Sequence, residues 1–207
     1  DAVEQFYIGK DAPAMPQNIV LTKNKVTWDA VTTGAHNGYI EPERITYNVY
    51  LDGEKLNASP IEATEYDVVI PDDEIKYYVA TVEAVYEGLV SEKGFSNEYL
   101  SGAYSVPAEI NINGEVMNYV EILDENGDGS TWKYMPDYSA LEYKYNKYYD
   151  ADDWALLPAI RISDETKVYS IEVDAETYNS SKYTEKIAVG ITNDEGIGEM
   201  QIIIPET

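Results

Sequence analysis

The chain has 207 residues, enough for one large domain or two small ones at roughly 100 to 200 residues each. Its 39 acidic and 14 basic side chains leave a net charge of −25 with the one histidine neutral. That sign argues against a phosphate-binding face for nucleic acid and against a polybasic face for anionic membranes, while 44% hydrophobic and 12% aromatic residues argue against a chain that stays unfolded.

With no cysteine, thiol nucleophiles, disulfides and thiolate metal sites are excluded. A single histidine, His36, argues against Ser-His-Asp catalysis and multi-histidine metal sites. No run of about 18 apolar residues is present to span a membrane, and the N-terminus lacks a basic-then-apolar leader pattern.

Hydrophobicity alternates from residue to residue, and the alternating runs are rich in Tyr, Val, Ile and Thr, which predicts an all-β chain. In chain order the first strands are Asn18 to Leu21, Lys25 to Trp28, Thr46 to Leu51, Glu65 to Ile70, Tyr77 to Tyr86 and Phe95 to Tyr99. Asn37-Gly38, Asp52-Gly53, Pro71-Asp72-Asp73 and Glu87-Gly88 supply turns between them. Short strands with turns every 8 to 12 residues or so are the pattern of a β-sandwich. After Val106-Pro107 the pattern restarts with Ile110, Ile112, Val116, Tyr119 and Ile122. It then runs into Asp124-Glu125-Asn126-Gly127-Asp128-Gly129-Ser130-Thr131-Trp132 and, further on, Asp152-Asp153-Trp154. Two more alternating stretches come after these, Tyr169 to Ala175 and Tyr183 to Val189.

On the longest strand Tyr78, Ala80, Val82 and Ala84 share a face. With Pro13 and Pro16, Trp28, the run Ile45 to Tyr50, Gly88, Ser91 and Ser96-Asn97, this resembles a fibronectin type III domain over residues 13–105. The loop Gly34 to Pro42 resembles an insertion in such modules of secreted proteins from anaerobic Gram-negative bacteria. Residues 1–12, with Phe6 to Asp11, are expected to be the tail of a preceding module or a linker. Residues 106–207 resemble the N-terminal part of a choice-of-anchor J, or cleaved-adhesin, domain, through the Asp-Gly-rich loop ending in Trp132, the Tyr-rich stretch, Asp152-Asp153-Trp154 with Pro158, and a following pair of strands. The resemblance implies a jelly-roll-like, MAM-like module in tandem with an immunoglobulin-like one. No Phe-Glu opens that module near Asn113 to Val116, and its C-terminal half is not in the chain; an incomplete jelly roll would expose strand edges, so the natural protein is expected to continue or another segment to cover them.

The most specific local signal is Asp124-x-Asn126-x-Asp128-Gly129, where alternate oxygen side chains on a tight turn converge on one hard cation. It is not an EF-hand, because the twelfth position is Met135 rather than a bidentate Glu. The loop is read either as a calcium site completed by Asp152 or Asp153, or as a hairpin turn that needs no metal. Related domains bind structural calcium, so the resemblance favours Ca2+ on Asp124, Asn126, Asp128 and Asp153. Asp152 and Asp153 as acid and base of a glycosidase are the weaker reading, since among 39 carboxylates some pairs are close by chance.

Twenty tyrosines are present, with Tyr134, Tyr138, Tyr143, Tyr145, Tyr148 and Tyr149 close together; they read as strand-face packing or as a ligand platform. His36 is expected to be an exposed turn residue. The sequons at Asn57 and Asn179 are expected to be chance matches. The modules imply a non-catalytic adhesion or binding protein, secreted or on a bacterial cell surface, with a carbohydrate or protein ligand and no membrane insertion. The alternative is a pair of accessory domains of a larger secreted peptidase or glycoside hydrolase.

Overall fold

A strand whose alternate residues are apolar buries one face and solvates the other, and the longest strand of the computed structural model does this. The structure describes residues 9–144, 148, 152–164, 166–176, 187–192 and 201–204. Within them β1 (Val20–Leu21), β2 (Lys25–Thr27), β3 (Thr46–Leu51), β4 (Glu54–Lys55), β5 (Glu65–Asp67), β6 (Lys76–Tyr86), β7 (Leu89–Val90) and β8 (Gly94–Ser101) succeed one another in order. They build a three-stranded sheet β1-β2-β5 and a second sheet, β4-β3-β6-β7, in which β8 also pairs with β6. Every pairing among them is antiparallel.

The two sheets share one core. Leu21, Val26 and Trp28 from the first meet Tyr47, Val49, Leu51, Tyr78, Ala80, Val82 and Ala84 from the second, all buried. Trp28 sits edge-on to Tyr47 with ring centroids 5.3 Å apart, and the Tyr47 hydroxyl accepts the Val31 N–H at 2.9 Å. This is an immunoglobulin-like β-sandwich, as the fibronectin type III resemblance implies. Hairpin turns form at Asp52-Gly53 and Glu87-Gly88, whose central residues have φ of 48° and 86°, and 49° and 81°. Positive φ at both positions matches the right-handed strand twist and joins β3 to β4 and β6 to β7 by two residues.

Polar side chains complete the ladders where the backbone does not. Ser91 and Ser96 accept the Ala84 and Ala80 N–H groups at 2.8 and 2.9 Å, the latter where β8 slips register against Val79 to Thr81. Asn97 ties the sheets at their edge, accepting from Leu21 N–H at 2.9 Å and donating to its carbonyl at 3.1 Å. Asn57, buried, accepts from Val49 N–H and donates to the Tyr47 and Ser59 carbonyls, so its amide is structural.

The chain continues through β9 (Tyr104–Ser105), β10 (Glu121–Asp124), β11 (Lys133–Met135), β12 (Ala140–Glu142), β13 (Asp153–Leu156) and β14 (Ile160–Arg161). These strands pair two by two: β10 with β13 and β11 with β12 antiparallel, β9 with β14 parallel. The chain forms two compact units, Asp1–Ser163 and Asp164–Thr207. Contacts among the described residues tie the sandwich to the segment between Tyr104 and Arg161. Tyr77 lies against Tyr119 at 6.0 Å between ring centroids, the Arg161 guanidinium meets the Asp72 carboxylate at 2.9 Å, and the same guanidinium donates to the Asp72 carbonyl.

In the second unit β15 (Val189–Ile191) pairs antiparallel with β16 (Gln201–Ile204). The stretch Tyr169 to Ala175, read from sequence as one of a pair of strands, is not a strand. Ile171 and Val173, on the side of it that alternation would bury, are 42% and 45% exposed, so no buried face holds it in a ladder. Most of the other stretch, Tyr183 to Val189, lies outside the described residues.

Candidate metal centre

The pairing of β10 with β13 fixes the centre, because its register sets Asp124 directly opposite Asp153. Beyond Asp124 the chain turns tightly, with Gly127 at φ 68° and Gly129 at φ 77°, backbone that residues with a Cβ rarely adopt. The turn is stitched by its own acidic side chains. The Asp128 N–H donates to Asp124 Oδ1 at 3.1 Å and to Asn126 Oδ1 at 3.0 Å, Gly129 N–H to Asp124 Oδ2 at 2.9 Å, and Ser130 N–H to Asp128 Oδ1 at 2.6 Å. Alternate spacing thus holds three oxygen-bearing side chains on one loop whether or not an ion is bound.

One indole fastens the loop to β13, and a second closes on its own segment. Trp132 Nε1 donates to the Asp153 carbonyl at 3.0 Å, and Trp154, half-buried rather than central to a core, donates to Asp152 Oδ1 at 3.2 Å. Asp152 thus accepts a hydrogen bond from an indole of its own segment. Asp153 is different: both its carboxylate oxygens are buried without a hydrogen bond of normal geometry, and the Thr131 hydroxyl beside the loop is orphaned too. A buried carboxylate in that state carries a desolvation cost that only a cation, a proton or a donor offsets. Neither Asp124 nor Asp153 has an ion pair with a described residue.

Tyr143 borders the same carboxylates. Burial first, then the hydrogen bond to Asp153 and the charges of Asp153, Asp128 and Asp124, push its pKa up to about 12, because a phenolate there would lose that bond and face three negative charges. Its ring packs on Trp132 with centroids 5.6 Å apart. Of the other tyrosines in the cluster, Tyr138 and Tyr148 are 77% and 75% exposed and Tyr134 is half-buried, while Tyr145 and Tyr149 lie outside the described residues. The donor set fits a hard cation: all oxygens, with one carboxylate orphaned and buried. Among the described residues no three His, Cys, Asp or Glu side chains stand in coordinating range.

A second polar constellation, which the sequence did not announce, lies in the sandwich. Asp11, expected to be linker, is buried and holds the loop Gly34 to Gly38. Its Oδ2 accepts the His36 and Gly38 N–H groups at 2.9 and 2.8 Å, and its Oδ1 accepts His36 Nδ1–H at 2.8 Å. Burial works against the charged form, but the His36 side chain and the two backbone donors outweigh it and hold the carboxyl below its ordinary value of 3.8. Gly34 and Gly38 are dictated by this packing, since a Cβ on either would overlap the Asp11 carboxylate. No spacing rule connects Asp11 with glycines more than twenty positions away, so sequence reading had no signal for it.

No family model matches the chain, and no curated protein does either. Among solved structures, one described as "Structure of FN3tt mut" is similar to it at 17% identity with a TM-score of 0.30, covering 44% of this chain and 97% of its own. The sandwich assignment rests on the strand order and shared core above. Among the described residues no helix is long and apolar enough to cross a membrane.

Proposed function

We propose that this chain is a non-catalytic binding module of a secreted or surface-attached bacterial adhesion protein, and that its acidic loop takes up one calcium ion. The ligands of the ion are Asp124, Asn126, Asp128 and Asp153. The observation that supports the metal is the buried, orphaned carboxylate of Asp153, set by strand register across from the first residue of an oxygen-rich turn. The ion offsets that burial and gathers carboxylates that otherwise repel. The adhesion role rests on the resemblance to fibronectin type III and choice-of-anchor J modules, whose immunoglobulin-like and jelly-roll-like folds serve to present surfaces, with a carbohydrate or a protein as ligand.

The test is calorimetric titration of the EDTA-treated chain with Ca2+, run beside terbium luminescence excited through Trp132. One site saturating at or below the millimolar range of extracellular calcium modules is expected, with sensitised terbium emission displaced by Ca2+. Asp153→Asn should abolish both signals and leave the sandwich folded. No heat and no emission from the wild-type chain would make residues 124–129 an ordinary turn.

A further inference from the structure

The loop Gly34 to Ile40 is more ordered than an exposed turn needs to be. On one side of Tyr39 the Gly38 N–H is held at 2.8 Å by the buried Asp11 carboxylate, and on the other Ile40 is 1% exposed in the core. The loop closes on itself through Gly34 N–H to the Gly38 carbonyl at 2.9 Å and Asn37 N–H to the Gly34 carbonyl at 3.0 Å. Between these fixed points stands Tyr39, 89% exposed. A tyrosine ring is large, has few rotatable bonds and is seldom left so bare, and a pinned backbone removes most of the ordering cost of using it.

The chain's own chemistry shows what such a ring attracts. Lys93 sits over Tyr50 at 3.8 Å, Lys76 over Tyr78 at 4.5 Å and Arg44 over Tyr86 at 5.6 Å, whereas Tyr39 has no cation or ring against it among the described residues. Glu43, in the short 3₁₀ turn Pro42–Arg44 just beyond it, is exposed and has no ion pair there either, and the molecule as a whole carries −25. We propose that Tyr39, presented by the Asp11-pinned loop, is a preorganised recognition site for a Lys or Arg side chain on a basic protein partner. The cation lies on the ring face, Glu43 supplies the nearby charge, and the acidic surface steers the partner in. This site is separate from the metal loop and stands or falls without it.

The probe is a fluorescein-labelled, capped tetra-arginine peptide, monitored by anisotropy. Tyr39→Ala leaves the net charge untouched, so it separates ring recognition from general attraction to an acidic protein. It should weaken binding about two- to fivefold, the range of an exposed cation–π contact, while Tyr39→Phe and the distant Tyr138→Ala bind as wild type. Gly38→Ala, whose new Cβ would lie 2.6 Å from Asp11 Oδ2, keeps the ring but loosens the pinned loop and should also weaken binding. Wild-type affinity in Tyr39→Ala, or equal losses in Tyr39→Ala and Tyr138→Ala, would overturn the proposal. So would wild-type affinity in Gly38→Ala, or a Tyr39-dependent binding of a neutral soluble oligosaccharide in place of the peptide.

Discussion

The sandwich and the stretch C-terminal to it are built from similar residues but hold themselves together differently. Among the described residues, the buried aliphatic and aromatic side chains other than Val116, prolines aside, lie between Ile19 and Ala84, inside the sandwich. From Tyr104 to Arg161 the strands pair two by two, their side chains are mostly half-buried, and the acidic loop is stitched by hydrogen bonds to its own backbone. One region therefore takes its stability from apolar area, and the other leans on polar and electrostatic contacts. The second kind responds to ions and pH, and the first does not.

The largest effect that sharpens this contrast is a core truncation. Trp28 is 5% exposed and packs edge-on against Tyr47, so Trp28→Ala should cost about 3–5 kcal/mol, transfer and cavity together. Ile122→Ala in β10 removes a half-buried side chain and should cost only about 1 kcal/mol, in proportion to the smaller area lost from contact. Chemical denaturation of both variants measures the difference. Equal losses would mean that the second region has a core of its own.

Next in size is Gly34→Ala, expected to cost about 1–3 kcal/mol by forcing a methyl group into the Asp11 carboxylate. The same pinning gives the sandwich an acid-sensitive feature. The Asp11 carboxyl is held below 3.8, so its contribution is complete above that value and is lost as pH falls through the lower, folded-state value. The melting-temperature difference between wild type and Asp11→Asn should therefore be constant near neutrality and close only below about pH 4. A difference that closes between pH 7 and 5 would assign the effect to another group.

Much of the sandwich was legible because its strands obey one period. Thr46 to Leu51 is a strand over its full predicted range, and the Tyr78, Ala80, Val82, Ala84 face is buried as alternation requires. The short edge strands β4 and β7 were not seen, since two residues carry no period, and the parallel meeting of Tyr104 with Ile160 depends on chain far outside any local window. At the centre, the spacing of Asp124, Asn126 and Asp128 marks the loop. That Asp153 rather than Asp152 faces it is set by a register that a pair of adjacent aspartates cannot reveal. Asp11 was missed for the same reason: a buried carboxylate is specified by its partners, and those are distant in sequence.

Asp153→Asn tests the second region with a change of sign. In the ion-free chain it removes a buried charge that no cation pairs among the described residues and should raise stability by about 1–3 kcal/mol, whereas with Ca2+ present the wild type should gain and the variant should not. Thermal melts in EDTA and in calcium give all four values. A variant that is less stable in EDTA would show that the Asp153 charge is already offset without a metal ion.

The smallest effect is also the most local. Tyr50 in the sandwich and Tyr143 beside the loop are both pushed up to about 12, each by burial first and then by a carboxylate, Glu83 for Tyr50 and Asp153 for Tyr143. With ordinary values of 10 for both, each favours the fold fully below pH 10, and the contribution disappears as pH rises through about 12. A calcium ion cancels the charges that oppose ionisation of Tyr143 but is remote from the Glu83 carboxylate, which accepts the Tyr50 hydroxyl at 2.5 Å. Ultraviolet titration of phenolate, with Tyr50→Phe and Tyr143→Phe to assign the two last steps, should show added Ca2+ moving the Tyr143 step to lower pH and leaving the Tyr50 step in place. If both steps move, calcium is acting on the net charge of −25 as a general screen, and if neither does, the loop holds no ion near Tyr143. Movement of the Tyr143 step alone places the cation against Asp153, where the sandwich offers no equivalent.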